Sequence, residues 1–285
     1  MSNPWLERRV IAFAHQGGSF EGPSSTIAAI ALALANGATA IELDVHATKD
    51  RAIVVCHDDT VDRTTDHRGR IADLTLAQLR EMDNAYWWAP GAAVSPGLAE
   101  SEYPHRAKAP LDPRYRITTL EEVVRTFPST LLNLDIKGTT PAVAPYEELL
   151  AHELRRLECQ HSVIVASFHD LAIATFRRLC PEVATSAATG EMTAFYLSLV
   201  EGATPLVPPV SAFQVPATFG TVNVVTPHFV ESAHGAGVAV HVWTINDVDE
   251  MGRLLDAGVD GIISDTPTPL ARLLGQRECA WDGVL

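Results

Sequence analysis

The chain has no run of about 18 apolar residues, the length a membrane-crossing helix needs. It has no dense Lys/Arg cluster; its longest basic runs are pairs such as Arg8-Arg9 and Arg155-Arg156. With a formal net charge of -14, such a chain repels nucleic acid and anionic membrane. No nucleic-acid partner and no stable membrane association are therefore expected, and an anionic substrate would need a local cation to overcome the global field. The four cysteines, Cys56, Cys159, Cys180 and Cys279, form no CxxC pair and no regular spacing. That pattern fits ordinary thiols in a reducing compartment rather than a zinc site or a disulfide framework. The first ten residues carry no leader-like apolar stretch, so a cytoplasmic location is expected. No internal repeat or low-complexity tract stands out, and the sequence does not address oligomeric state.

What is present is a globular composition. Hydrophobic residues make up 47% and charged residues 20% of 285, which suits a single domain over 1–285. Short apolar strands alternate with longer helical patterns. Strands are expected at Val10–Ala14, Ala40–Val45, Leu131–Ile136, Val163–Ser167, about Thr185–Ala188, Ala212–Val215, Val238–Trp243 and Gly261–Ser264. Helices are expected at 25–36, with Ser24 or Ser25 as N-cap and Gly37 as stop, and near 142–157, 169–179, 191–201, 227–236, 246–257 and 267–275. Repeated strand–helix alternation implies a parallel sheet with helices outside. Eight such units predict an α/β fold of the (β/α)8 TIM-barrel type, with a doubly wound open sheet as the runner-up.

Two segments depart from the alternation. Val54–His57 follows Val45 after only eight residues, His46 to Ile53, whereas a parallel crossover needs a dozen or more. An antiparallel hairpin turning near Lys49-Asp50-Arg51 is expected, bringing His57 across from Glu42 or Asp44. The stretch 84–116 holds Pro90, Pro96, Pro104, Pro110 and Pro113 with Tyr86, Trp87 and Trp88. It is too long for a simple connection and is expected to cover the barrel mouth.

The chemistry-bearing residues sit near strand ends. Glu42 and Asp44 are two apart on a strand and share one face. Two carboxylates on an inner strand face are costly unless a cation or basic group compensates them. Oxygen-rich sets favour Mg²⁺ or Ca²⁺ over zinc. Asp135 ends another strand, where barrel enzymes place working residues, with Lys137 on the same face; taken alone, these two could form a self-contained ion pair. His15 ends the first strand, and His15 and His57 each adjoin the carboxylate set. Imidazole titrates near neutrality and can act as general base or acid. The other nine histidines are read individually as structural.

These segments resemble the glycerophosphodiester phosphodiesterase family. Its His-Arg-Gly opening is matched by His15-Gln16-Gly17, and its Pro-Glu-Asn-Thr by Pro23-Ser24-Ser25-Thr26. Glu42-Leu43-Asp44-Val45, Thr48-Lys49-Asp50-Arg51, Val54-Val55-Cys56-His57-Asp58 and Arg63-Thr64-Thr65 follow in the family's order. Thr118-Thr119-Leu120-Glu121-Glu122, Leu134-Asp135-Ile136-Lys137, Ala166-Ser167-Phe168, Val242-Trp243-Thr244-Ile245-Asn246 and Gly258 through Pro267 continue the series. The likeness runs from about residue 10 to 275.

The resemblance implies a barrel with a metal-dependent site at its C-terminal face. It implies His15 and His57 as the acid/base pair and Glu42, Asp44 and Asp135 as ligands of a divalent cation, Mg²⁺ or Ca²⁺. It further implies Gln16 and Lys137 as phosphate contacts and Trp243 as a wall of the substrate pocket, with plain core packing as the alternative for Trp243. The substrate would be a small glycerophosphodiester, cleaved to glycerol 3-phosphate and an alcohol. The rival readings are a lysophospholipase D or sphingomyelinase D-like enzyme, in which 84–116 accepts an acyl chain, and a non-catalytic phosphodiester-binding barrel. Gln16 and Ser24 stand where the family has Arg and Glu. The expectation is that this former charge pair has been replaced by a neutral hydrogen bond.

Overall fold

A computed structural model describes residues 3–109, 111–137 and 146–283. The strands, in chain order, are β1 (Ile11–His15), β2 (Ala40–Ala47), β3 (Ile53–Val55), β4 (Leu131–Ile136), β5 (Val163–Ala166) and β6 (Ala184–Thr185). They continue as β7 (Ala212–Pro216), β8 (Thr218–Phe219), β9 (Val222–Asn223), β10 (Ala239–Trp243) and β11 (Gly261–Ser264). Eight of them run parallel in the order β6-β5-β4-β2-β1-β11-β10-β7. The two ends of that order meet at a parallel bridge, Ser186 to Ala212, supported by Ala187 N donating to Ala212 O (3.0 Å) and Ser211 N to Thr185 O (2.9 Å). The sheet is thus a (β/α)8 barrel, and the open-sheet alternative falls. β6 is only two residues long, shorter than its expected span, because beyond Thr185 the closure passes to these single contacts.

Alternation along each strand explains why the chain folds this way. Ile11, Phe13, Ala40, Leu131, Ile164, Ala212, Ala239 and Ile263 fill the barrel interior. Ala12, Ala14, Ile41, Leu43, Leu132, Val165, Phe213, Val240 and Ile262 face outward into the layer of helices. Trp5, on the short helix Pro4–Glu7, plugs the N-terminal end of the barrel, where Asn3 Nδ2 donates to Ser211 O (2.7 Å) and Gly237 O (2.9 Å). Polar residues occupy one interior level: Asn133 Nδ2 donates to Gln214 Oε1 (3.2 Å), and Gln214 Nε2 lies 3.4 Å from His241 Nδ1.

The helices follow the expected alternation, at Ile27–Ala35, Tyr146–Arg156, Asp170–Leu179, Thr189–Val200, Pro227–Gly235, Val248–Asp256 and Pro267–Gln276. The start of the helix expected from 142 lies outside the described residues. A helix at Leu120–Thr126, closed by a Thr119/Glu122 capping box, supplies the crossover into β4. The first long helix is capped by Thr26, not by Ser24 or Ser25. Ser25 sits at φ +59, and the Ser24 hydroxyl is committed to Gln16, so neither can serve as the cap. Among the described residues, no helix is long and apolar enough to cross a membrane.

Two expectations need correction. The β2–β3 hairpin forms, with Val45 opposite Val55 and Ala47 opposite Ile53. Its turn has three residues, Lys49 to Arg51, and Arg51 takes the left-handed conformation (φ +68). An odd loop length sets even-numbered residues opposite even-numbered ones. Asp44 therefore meets Cys56, whose N donates to Asp44 O at 3.0 Å, and His57 does not lie directly across from Glu42 or Asp44. It reaches the site as the chain leaves the ladder. The 84–116 excursion does not cover the barrel mouth either. Trp88 Nε1 donates to Ser19 O (2.9 Å), Gly91 N to Phe20 O (2.8 Å) and Asn84 Nδ2 to Ser24 O (3.2 Å), fixing the segment to the flank of the loop after β1. Its aromatic rings are spent internally: Arg106 stacks on Tyr86, Trp87 and Tyr103, and Trp88 stacks on His105. Pro110 lies outside the described residues.

Candidate active site

A cleft of about 590 Å³ opens at the C-terminal ends of the strands. His15, Glu42, His57, Asp135, Lys137 and Trp243 all line it. Asp44 lies just beneath, fully buried. Asp44 and Asp135 are register partners on neighbouring strands, as are His15 and Glu42, so the barrel itself brings the set together.

Each imidazole is held by a carboxylate. His15 Nδ1 is 2.7 Å from Asp265 Oδ1, and Asp265 also accepts from Ser19 Oγ (2.5 Å) and Asn246 Nδ2 (2.8 Å). Burial raises the Asp265 pKa, but the hydrogen bonds from His15, Ser19 and Asn246 outweigh it and hold the carboxyl below its ordinary value. His57 Nδ1 is 2.6 Å from Asp58 Oδ1, and Arg63 Nε donates to Asp58 Oδ2 at 2.6 Å. The His57 hydrogen bond, then Arg63, depress the Asp58 carboxyl well below the usual range. Both carboxylates stay ionised, so each Nδ1 carries its proton and each Nε2 is turned away from its carboxylate, that of His15 towards the Gln16 amide. The two rings stand nearly perpendicular (88°), 6.4 Å apart between centroids.

The loop after β1 holds His15 in place. Gln16 adopts φ +52, and Gly17 and Gly18 follow at +81 and +87. A Cβ on Gly18 would meet Pro267 at 2.9 Å, so the close approach of this loop to the last helix requires glycine. Gln16 is buried and does not line the cleft. Ser24 Oγ donates to Gln16 Oε1 at 2.6 Å, the neutral bond expected in place of a charge pair. That bond turns the Gln16 amide toward His15 Nε2 (3.3 Å), while the Gln16 backbone N donates to Glu42 Oε2 (3.1 Å).

The carboxylates carry excess charge. Lys137 Nζ lies 3.0 Å from Asp44 Oδ1 and 3.2 Å from Asp135 Oδ2, so it bridges two strands and is not a self-contained partner of Asp135. Burial and the neighbouring Asp135 push the Glu42 carboxyl up to about 8; burial and Glu42 push Asp44 upward too. Burial lowers the Lys137 pKa, but Asp44 and Asp135 more than reverse this. Asp44 Oδ2 and Asp135 Oδ1 are buried without a hydrogen-bond partner, and Asp44 Oδ1 meets the Lys137 ammonium. Among the described residues, no three His, Cys, Asp or Glu side chains converge as a formed coordination shell. The donor chemistry nonetheless fits a hard divalent cation: only oxygens, two of them buried and orphaned, with one ammonium against three carboxylates.

Comparison with family profiles matches residues 15–268 to the glycerophosphoryl diester phosphodiesterase family. The chain belongs to this family. By family it is a phosphodiester hydrolase. A glycerophosphodiester phosphodiesterase of Caldanaerobacter subterraneus subsp. tengcongensis is 30% identical over 270 residues, covering 93% of this chain and 98% of that one. The barrel superposes on the glycerophosphoryl diester phosphodiesterase domain of a Mycobacterium tuberculosis protein with a TM-score of 0.76 at 19% identity, covering 93% and 98% of the two chains. It also superposes on an Oleispira antarctica phosphodiesterase solved with the product sn-glycerol-3-phosphate, with a TM-score of 0.69 at 23% identity, covering 94% and 98%.

Within this family member, the sequence reading assigned no role to Asp58, Asp265, Asn246, Ser19 or Arg63. The signal was available for two of them. Asp58 adjoins His57, and Asp265 follows directly on the last barrel strand, the position where such folds place working groups.

Proposed function

We propose that the chain hydrolyses glycerophosphodiesters to glycerol 3-phosphate and an alcohol, with His15 and His57 as the acid/base pair. The observation that carries this reading is the pair of imidazoles in one cleft, each tied at Nδ1 to an ionised carboxylate, beside a buried carboxylate set and Lys137. Binding alone needs no such pair of proton carriers, which disfavours a non-catalytic barrel. Glu42, Asp44 and Asp135 are the residues that would hold a divalent cation, Mg²⁺ or Ca²⁺. When bound, that cation supplies charge neutralisation at a phosphoryl oxygen.

The chain's own groups do the rest. Lys137 places its ammonium against the substrate phosphate. One imidazole Nε2 takes a proton from the nucleophile, water or the neighbouring glycerol hydroxyl; attack by the hydroxyl gives a cyclic glycerol phosphate, which a water then opens to glycerol 3-phosphate. The other imidazole enters the step doubly protonated and delivers its Nε2 proton to the leaving alcohol oxygen, returning to the neutral ring. The Asp265 and Asp58 contacts keep each ring in the tautomer that leaves Nε2 facing the reaction. Trp243 walls the pocket, packing edge-to-face on Phe168 at 5.5 Å. The deciding assay is choline release from glycerophosphocholine with Mg²⁺, Ca²⁺ or EDTA. Activity should require the metal and vanish in His15→Ala and His57→Ala while both variants keep wild-type circular dichroism. Near-normal turnover in either variant would overturn the acid/base assignment.

A further inference from the structure

His15 is held at both ring nitrogens, and each hold is made through a serine of the loop after β1. On one side, Ser19 Oγ donates to Asp265 Oδ1 (2.5 Å), which meets His15 Nδ1 at 2.7 Å. On the other, Ser24 Oγ donates to Gln16 Oε1 (2.6 Å), and the Gln16 amide nitrogen lies 3.3 Å from His15 Nε2. The loop does not keep this shape unaided. Gln16 and Ser25 stand at φ +52 and +59, conformations that residues other than glycine hold only where neighbouring structure enforces them.

The enforcement comes from the start of the 84–116 segment. Asn84 Nδ2 donates to the carbonyl of Ser24 (3.2 Å), and Trp88 Nε1 donates to the carbonyl of Ser19 (2.9 Å). Gly91 N donates to the intervening Phe20 O (2.8 Å). The same two serines thus accept from the segment through their carbonyls and donate towards the partners of His15 through their hydroxyls. All four side chains, Ser19, Ser24, Asn84 and Trp88, are buried, so water does not stand in for a lost donor. Asn84 and Trp88 are themselves fixed. Thr64 Oγ1 donates to Asn84 Oδ1 (2.6 Å), which leaves the amide N–H to face Ser24, and the Trp88 indole stacks on His105 at 5.3 Å. Thr64 follows Arg63, the donor to Asp58 beside His57. The segment therefore stands between the stretch that carries His57 and the loop that carries His15.

We infer that Asn84 and Trp88 are positioning residues: they brace the loop whose serines hold His15 at both nitrogens, and so fix that imidazole relative to His57, a role in catalysis that rests on the phosphodiesterase reading above. Neither residue lines the cleft, so both act through the loop and not on the substrate.

Trp88→Phe keeps a ring against His105 and removes one donor; Asn84→Ala removes the other. Misplacing a reacting group by about 1 Å costs on the order of a hundredfold in rate. With one arm left, each single variant should lose about tenfold in kcat on glycerophosphocholine, and the double variant about a hundredfold. KM should stay within about twofold of wild type, because the substrate contacts are untouched. Tyr103→Phe is the control. It removes a hydroxyl bonded to Ser95 O (2.6 Å) and Leu98 N (3.0 Å) inside the same segment, off both paths, and should leave kcat unchanged. All rates are read well below each melting transition, and Trp88→Phe carries the test alone if Asn84→Ala does not fold.

The His15 ring reports the brace without turnover. In metal-free protein labelled with ¹³C and ¹⁵N at histidine, the ring signals that vanish in His15→Ala should broaden or split in Trp88→Phe and Asn84→Ala, and stay sharp in Tyr103→Phe. Wild-type kcat in the folded brace variants, or an equal fall in Tyr103→Phe, would overturn the brace. A wild-type protein that hydrolyses no glycerophosphodiester would defeat the phosphodiesterase reading alone. His15 signals that still broaden in the brace variants would then uphold the positioning of the ring, and signals identical to wild type would remove it.

Discussion

His241 sits at the polar interior level of the barrel, wholly buried between Phe13 (5.0 Å between rings) and Trp5 (6.1 Å), with Gln214 as its polar neighbour. Burial pushes its pKa down to about 3 from an ordinary 6.5. The folded state therefore holds the ring neutral where the unfolded chain would protonate it. A depressed histidine pKa means the unfolded state binds more protons below about pH 6.5, so stability falls as pH drops from there towards about 3. At pH 5 the loss is about 2 kcal/mol, and its limit below pH 3 is about 5 kcal/mol. His241→Gln keeps an amide beside Gln214 and removes the titration. Urea unfolding of both proteins at pH 7.5 and pH 5 isolates the effect, because all other titrating groups cancel in the double difference. The wild type should lose about 2 kcal/mol more than the variant over that interval. Equal losses would refute the claim that this ring is held neutral, and a larger loss in the variant would reverse its sign.

Further tests address the site directly. Asp265→Asn replaces the carboxylate at His15 Nδ1 with a neutral amide that no longer fixes the Nδ1–H tautomer, and should lower kcat by a hundredfold or more, with KM changing far less; steady-state kinetics on glycerophosphocholine would show an unchanged kcat if Asp265 were merely structural. Gln16→Arg strands a buried guanidinium and should cost about 3–5 kcal/mol, much of which Ser24→Glu in the same chain should restore; identical melting temperatures for the single and double variants would defeat the idea. Mg²⁺ or Ca²⁺ should raise the melting temperature of the wild type but not of Asp44→Asn, and a shift of the same size in both would remove Asp44 from the ligand set.

The barrel was legible because its period-two strands and intervening helices follow from local sequence. Its functional strand ends were legible too, since Glu42 and Asp44, or Asp135 and Lys137, share a face by simple alternation. The hairpin register was not. It depends on Arg51 adopting φ +68, which nothing in Asp50-Arg51 announces. The 84–116 segment misled because its aromatic residues look like a cover until Arg106 is seen among them. The outer wall of the cleft was invisible for another reason. Phe168, Met192, Leu197, Phe219, Val222 and Trp243 lie on different units and become one wall only after the barrel closes.

The His15–Asp265 contact spans 250 residues and joins the first barrel strand to the turn after the last. Thr268, just beyond, reinforces the same seam by donating to Glu21 through both its backbone N (3.1 Å) and its hydroxyl (2.5 Å). This has a biosynthetic consequence. A growing chain that already displays both histidines, all three candidate ligand carboxylates and Lys137 still lacks the group that orients His15. The carboxylate contact at His15 is thus made only once the final barrel strand has docked against the first.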